Sequence, residues 1–408
     1  MFGWEFPPYN SGGLGVACKG IVGGLTDEGV EVTFVLPQKM DTGGTLKRVR
    51  FADPTNRISS ASVAALYNPY LSPARYRMLQ IKTKSGHPFT GTTLYEKVIW
   101  YASRAADIAQ HEPHDVVHAH DWLTFPAGIV ASRESGKPLV LHVHATEFDR
   151  TGNGQPNPEV YEIEKMGLEA ADKIIAVSEF TKKSIVEHYG IDPAKIEVVH
   201  NVIEPPPAPT KPPAFVNELK KQGKHIVLFV GRLTLQKGPD YLVKVAKKVT
   251  SIRQDVHFVI AGTGEMEDQV REQIRQAGVE KYFTFAGFVR GGQLSALYQS
   301  ADIYMMPSVS EPFGLTALEA LSFGLPSVIS RQSGVAEVTR HVFKTDFWDV
   351  DEMASKILSV LEYPALKKAF SQEAPKEARR SRWQDAGRKL RKIYQQLIER
   401  LATGLEKS

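Results

Sequence analysis

The stretch Ile226-Val227-Leu228-Phe229-Val230-Gly231-Arg232-Leu233-Thr234-Leu235-Gln236-Lys237-Gly238 carries the reading of the fold. Five apolar residues in a row suit a strand buried on both faces, as in a parallel sheet. Glycine ends the run, and a residue without a Cβ lets backbone approach a ligand closely. Arg232 and Lys237 then put two cations at the carboxyl end of the strand, the edge where open α/β sheets bind ligands. A helical pattern follows over Pro239–Val249. Two cations at that edge suit a diphosphate, whose charge grows as it departs as a leaving group. Taken alone, the loop reads equally well as a solvated basic turn.

The same alternation continues in both directions. Downstream, apolar runs at Val256–Ile260, Tyr282–Phe285, Ile303–Met306 and Pro326–Ile329 alternate with helical patterns at Glu265–Gln276 and Gly291–Ser300. Upstream lie strand candidates at Val30–Leu36, Asp115–His118, Leu139–Val143, Lys173–Val177 and Ile196–His200. Strands separated by helices predict α/β architecture with parallel sheets. Between the two series, Glu204–Pro213 holds six prolines in ten residues, which excludes a helix interior or a central strand. A stiff connector is therefore expected over 205–213, with one α/β domain over 1–204 and another over 214–382. At 408 residues the chain exceeds the size at which single cores stop growing, which agrees with two domains.

Composition narrows the function classes. A formal net charge of +4, without basic runs interleaved with aromatics, gives no sign of nucleic-acid binding. The single cysteine, Cys18, cannot form an internal disulfide. The N-terminus lacks the pattern of a secretory signal, and no apolar run reaches the roughly 18 residues of a membrane span. A cytoplasmic protein is expected. The tail 383–408 places Ala386, Leu390, Ile393, Tyr394, Leu397, Ile398 and Leu401 at helical spacing, with Arg and Lys on the other face. Such a helix is expected to pack on its own protein, with a membrane surface as the lesser alternative.

A second informative cluster is Ser310-Glu311-Pro312-Phe313-Gly314-Leu315-Thr316-Ala317-Leu318-Glu319-Ala320. Glu311 follows the strand Ile303–Met306, and a helix opens just beyond it. The N–H groups of Phe313 to Thr316 make an anion site at that helix start. Glu311 and Glu319, eight positions apart, can hold two parts of one ligand, since carboxylates accept hydrogen bonds from hydroxyls. The competing reading makes Glu311 a helix cap and Glu319 a surface residue.

These residues together resemble the family 4 glycosyltransferases and the related glycogen and starch synthases. The resemblance rests on the Gly231–Gly238 loop, the Glu311-x7-Glu319 pair, Ala261-Gly262-Thr263-Gly264 and Ala286-Gly287-Phe288-Val289. It spans nearly the whole chain and implies the GT-B fold: two Rossmann-like domains facing across a cleft, with the C-terminal helix crossing back to the first. The first domain is then the acceptor side and the second the nucleotide-sugar-binding side. In the first half, Pro8–Gly15 resembles the family's donor-phosphate loop, with Gly12 and Gly13 against the phosphates. His118-Ala119-His120-Asp121-Trp122 resembles the segment beside sugar and acceptor, and His144 the histidine near the transferred sugar.

The resemblance implies roles. Arg232 and Lys237 stabilise the leaving diphosphate, Glu311 holds sugar hydroxyls, and His144 contacts the sugar. Gly262, Phe288, Phe313, Gly314, Leu315 and Glu319 line the donor, with Glu319 on the ribose, while His120 and Asp121 face the acceptor. It also implies retention of anomeric configuration, ADP- or UDP-glucose as donor, a sugar or α-glucan as acceptor, and no metal or other cofactor. Two His-x-His pairs with Asp121 also permit a metal reading, which the metal-independent chemistry of the resembled family disfavours. Asp349-Val350-Asp351 looks like a metal-binding Asp-x-Asp, but its place before an amphipathic helix makes Asp351 a cap. Two departures from the family stand out. Only Met1 and Phe2 remain of the first strand, so the expectation is either a chain that starts late or a short edge of the first sheet. After Gly334-Val335-Ala336-Glu337 the usual glycine-rich turn gives way to Phe343–Trp348. A nucleotide-sugar epimerase of the same fold and a non-catalytic sugar-nucleotide sensor are the competing functions; the sensor is disfavoured because Arg232, Lys237, Glu311 and Glu319 are all present.

Overall fold

A computed structural model of the chain describes residues 1–8, 12–44, 46–57, 93–380 and 382–404. Tyr9, Asn10 and Ser11 of the Pro8–Gly15 loop lie outside the described residues. The chain divides into two compact units, one of residues 1–147, 156–202 and 383–408, the other of 148–155 and 203–382.

In the first unit, β1 (Thr33–Lys39) pairs in parallel with β2 (Arg48–Arg57). β3 (Val117–His120), β4 (Leu139–Val143), β5 (Lys173–Ala176) and β6 (Ile196–Val198) form a second parallel set in that order. Phe2 joins the two sets through parallel bridges to Val35 and Ala119. Its N–H donates to the His118 carbonyl (2.7 Å), its carbonyl accepts from His120 N–H (3.2 Å), and Gly3 N–H donates to the Val35 carbonyl (3.0 Å). The expected short edge is thus a short centre. The sheet runs β2-β1-Phe2-β3-β4-β5-β6, with Met1–Gly3 supplying the rung between β1 and β3.

The second unit holds β7 (His225–Val230), β8 (Val256–Ala261), β9 (Phe283–Gly287), β10 (Ile303–Met306), β11 (Ser327–Ser330) and β12 (Phe343–Thr345). All pairs are parallel, in the order β12-β11-β10-β7-β8-β9. The order reverses between β7 and β10, and crossovers leaving that point in opposite directions open a crevice at the carboxyl edge.

Several sequence readings shift. The strand expected over Asp115–His118 lies two residues later, because a run buried on both faces has no polar alternation to mark its ends. β2 and β12 were not foreseen: β2 begins Arg-Val-Arg, and β12 is three residues long with Lys344 at its centre. Residues 148–155 group with the second unit rather than with 1–204, where Ser310 Oγ donates to Asp149 Oδ1 at 2.5 Å. The proline-rich connector also belongs to the second unit, and Thr210 N–H donates to the Gly292 carbonyl (3.0 Å). Asp351 is not the helix cap. Asp349 is, accepting from Glu352 N–H at 2.8 Å, while Asp351 pairs with Lys248.

The helix Trp383–Ala402 packs on the helix Gly13–Asp27 within the first unit. Leu390, Ile393, Tyr394 and Leu397 share a core with Ile21, Leu25, Val140 and Ile175, so most of the apolar stripe is taken up by the protein itself, while Ile398 and Leu401 stay exposed. Among the described residues, no helix is long and apolar enough to cross a membrane. The two helices meet backbone to backbone. A Cβ on Gly24 would lie 2.1 Å from the Trp383 carbonyl oxygen, and one on Gly387 would lie 2.1 Å from the Gly24 carbonyl oxygen. Gly24→Ala or Gly387→Ala should therefore lower stability by about 1–3 kcal/mol in urea unfolding. Gly23→Ala, one residue away with open space around its Cβ, should instead raise it by up to about 1 kcal/mol. Equal effects at positions 23 and 24 would refute this packing.

Candidate active site

The carboxyl edge of the second sheet collects the loops that follow β7, β8, β9 and β10. Glycine decides how they fit. Gly262, at φ +150°, could not carry a Cβ, which would lie 1.8 Å from the Gly231 carbonyl oxygen. The loops after β7 and β8 therefore touch backbone to backbone. On the other side Gly238, at φ +61°, sits against Pro307, where a Cβ would come 2.2 Å from the carbonyl oxygen. Val309 N–H donates to the Gln236 carbonyl at 2.9 Å, tying the loop after β7 to the loop after β10.

That junction brings the two sequence clusters together. Lys237 Nζ donates to Glu311 Oε2 at 2.5 Å, and Ser308 Oγ donates to the same oxygen at 3.1 Å. Glu311 is buried and its backbone is clamped, its N–H donating to the Gln332 carbonyl (2.9 Å) and its carbonyl accepting from Gly334 N–H (3.0 Å). Glu311 does not cap the helix Leu315–Ser322. The N-cap is Gly314 at φ +108°, and no side chain caps that start. The positive end of the helix thus faces the crevice beside an ion pair. Arg232 lies on the loop of Lys237, half-buried. Phe313 is buried, and its carbonyl accepts from Val335 N–H at 2.6 Å. Phe288, past the end of β9, is 63% exposed.

Glu319 is no plain surface residue. Its Oε2 accepts from the Tyr298 hydroxyl at 2.9 Å, and desolvation pushes its carboxyl up to about 7. Tyr298, Ser308 and Asp149 escaped the sequence reading, since each is a single polar residue whose use depends on a partner distant in the chain.

In the first unit, four imidazoles stand on one face of β3 and β4. His118 and His120 alternate on β3, and His142 lies opposite His120 with His144 just past the strand end. His120 Nδ1 bonds His144 Nε2 at 3.0 Å. Burial holds all four below the ordinary histidine range, His144 at about 3. They are neutral at working pH. Asp121, at φ +59°, accepts from His144 N–H (2.6 Å) and Ala145 N–H (3.3 Å). His120 is fully buried behind His144, and Asp121 is buried with its carboxylate turned to the backbone that carries His144. At the helix Gly13–Asp27, Gly12 is the N-cap and the buried Glu5 carboxylate accepts from Gly15 N–H at 2.9 Å.

Residues 11–205 match the family described as Glycosyltransferase Family 4, and residues 211–377 the one described as Glycosyl transferases group 1. Over 350 residues the chain is 30% identical to an uncharacterized glycosyltransferase of Methanocaldococcus jannaschii, spanning 84% of this chain and 82% of that one. This chain is a family 4 glycosyltransferase of the GT-B fold. It is also 29% identical over 378 residues to a glycogen synthase of Mycobacterium tuberculosis, spanning 90% and 86% of the two chains. Among solved structures, Anabaena HepE in complex with UDP and glucose shares the fold, with a TM-score of 0.69 at 17% identity over 96% of this chain and 97% of that one.

In this glycosyltransferase the raised Glu319 carboxyl gives a signed expectation. The folded protein keeps its proton while the unfolded chain, near 4.5, loses it, so stability falls as pH rises from about 4.5 to 7. Glu319→Gln has no such loss. Its thermal midpoint should climb relative to the parent across that interval, and parallel pH curves for the two proteins would refute the assignment.

Proposed function

We propose that this glycosyltransferase is a retaining hexosyltransferase that moves a glucosyl group from UDP- or ADP-glucose to a glucan or smaller sugar acceptor. The observation that carries the reading is the Lys237–Glu311 pair, fixed where the strand order reverses, beside Arg232 and an uncapped helix start. A departing nucleoside diphosphate gains negative charge, and Arg232, Lys237 and the helix N–H groups answer it in place. Glu311, held through Oε2 by Lys237 and Ser308, is oriented to accept from sugar hydroxyls. Glu319, beside Tyr298, is the ribose acceptor. His144 is held by Asp121 through its backbone and by His120 through Nε2. Its neutral ring then works as a hydrogen-bond partner to the sugar, not as an acid.

In the proposed reaction the bond from the anomeric carbon to the phosphate oxygen breaks. The bond to the acceptor oxygen forms on the same face, and the acceptor proton passes to the departing phosphate. Side-chain cations carry the charge, and no metal takes part in the transfer. The glycogen synthase relative supports a glucan acceptor, and the likeness to HepE, whose structure holds UDP and glucose, supports UDP-glucose as the first donor to try.

Incubation with UDP- or ADP-glucose and an oligoglucan should release the nucleoside diphosphate and give an α-linked product by NMR. A β-linked product would overturn retention, and turnover of the donor without any acceptor would favour the epimerase. Arg232→Ala and Lys237→Ala should each lower kcat by about 10²–10³-fold, and Lys237→Ala, which leaves the buried Glu311 carboxylate without its cation, should also lower the unfolding midpoint. Full activity in Arg232→Ala would refute its role. A true donor at 100 times its Kd should stabilise the protein by about 2.7 kcal/mol.

A further inference from the structure

The four stacked imidazoles do more than support His144. Ring centroids are 4.4 Å apart for His118–His120 and His142–His144, and 5.3–5.4 Å apart across the strands. His118, His120 and His142 are 0–2% exposed. Yet His118 Nε2, His120 Nε2 and both ring nitrogens of His142 have no hydrogen-bond partner among the described residues. Buried polar atoms left unsatisfied are costly, and several converging on one point call for an occupant. Ligand atoms of these three histidines lie within 4.8 Å of one another, and so do those of Cys18, His120 and His144.

The surroundings are those of a ligand set. A metal-bound imidazole is oriented by what its other nitrogen meets. His118 Nδ1 meets the Tyr394 hydroxyl at 2.5 Å, and His120 Nδ1 meets His144 Nε2 at 3.0 Å. Both contacts leave Nε2 as the nitrogen that faces the cluster. The rings are neutral, which is the ligating form.

Charge selects the cation. Neither group of ligands includes a carboxylate, and the cluster is closed to solvent. The Born cost of burying an ion grows with the square of its charge, so a dication fares far worse here than a monocation. Imidazole with a nearby thiol is a donor set suited to copper in its reduced state. We propose that this cluster binds one Cu⁺ through His118 Nε2, His120 Nε2 and a ring nitrogen of His142, with Cys18 as the adjoining thiol. Three nitrogens about 2 Å from one ion stand roughly 3.5 Å apart, so the rings must turn out of their stack for their in-plane lone pairs to meet on the ion. Binding forms three Cu–N bonds and releases no proton, because each neutral ring keeps its single N–H on the nitrogen that does not ligate. The site holds the metal behind His144 and stands whether or not the chain transfers glucose.

The test is Cu⁺ transfer from its coloured bicinchoninate complex to chelator-treated protein, under anaerobic and reducing conditions. The full chain should take up one equivalent, and its unfolding midpoint should rise. His118→Gln and His142→Gln should abolish uptake. Tyr394→Phe, which removes only the hydroxyl on His118 Nδ1, should weaken binding by about 10-fold to 100-fold. No uptake by the parent protein, or uptake unchanged in both histidine variants, would overturn the proposal. Preference for Zn²⁺ over Cu⁺ would overturn its charge argument. Should the histidine variants fail to fold, X-ray absorption of the copper-loaded parent decides: nitrogen neighbours support the site, and a sulfur- or oxygen-only shell refutes it.

Discussion

In a sheet whose strands all run the same way, every crossover must leave from one edge and return to the other. Each strand therefore delivers the loop after it to the same side of the molecule. In the second unit this constraint brings Arg232 and Lys237, Gly262, Phe288 and Glu311 to one edge, although they span 80 positions of sequence. The reversal between β7 and β10 then decides which of these loops become neighbours. Glycines at 238 and 262 let them touch backbone to backbone, so the Lys237–Glu311 pair is placed by packing rather than by attraction between two free side chains.

How much of this was legible in the sequence follows from range. The β-α alternation, the helices after Gly238 and before Gly278, and the tail helix all show in local periodicity, which a linear reading captures. The Arg/Lys loop and the Glu-x7-Glu spacing were legible for the same reason, each being a short motif at a strand end. What escaped reading depends on partners far away in the chain. Nothing near Phe2 reveals that two residues would replace a central strand. Likewise Asp121 resembles a ligand-facing acid until the backbone of His144 is seen to use its carboxylate. Glu319 looks exposed until Tyr298, 21 positions earlier, is placed against it. Nothing near Gly262 reveals that its missing Cβ makes way for the Gly231 carbonyl.

The two units handle buried polarity differently. In the second, Asp302 is kept ionised by pairing, in contrast to the desolvated Glu319. Asp302 accepts from Lys220 and Lys367 at 2.6 Å each and from Ile226 N–H at 2.9 Å, which holds its carboxyl at about 2 despite burial. In the first, the histidines escape the same cost by staying uncharged. Pairing fixes geometry through strong directional bonds, whereas stacked neutral rings leave nitrogen lone pairs available inside the protein.

The docking of the tail helix bears on the order in which the molecule assembles. Trp383, Leu390, Ile393 and Leu397 belong to the core of the first unit, yet the ribosome delivers them only after the whole second unit. Domains generally fold as units during synthesis, N-terminal first. Here the N-terminal unit stays open along the helix Gly13–Asp27 until the whole second unit has been made. The second unit, encoded by a nearly continuous segment, reaches its native sheet sooner. The nascent first unit meanwhile presents an apolar groove over Ile21 and Leu25 for the time needed to translate about 180 residues, which makes that groove a natural landing place for a chaperone.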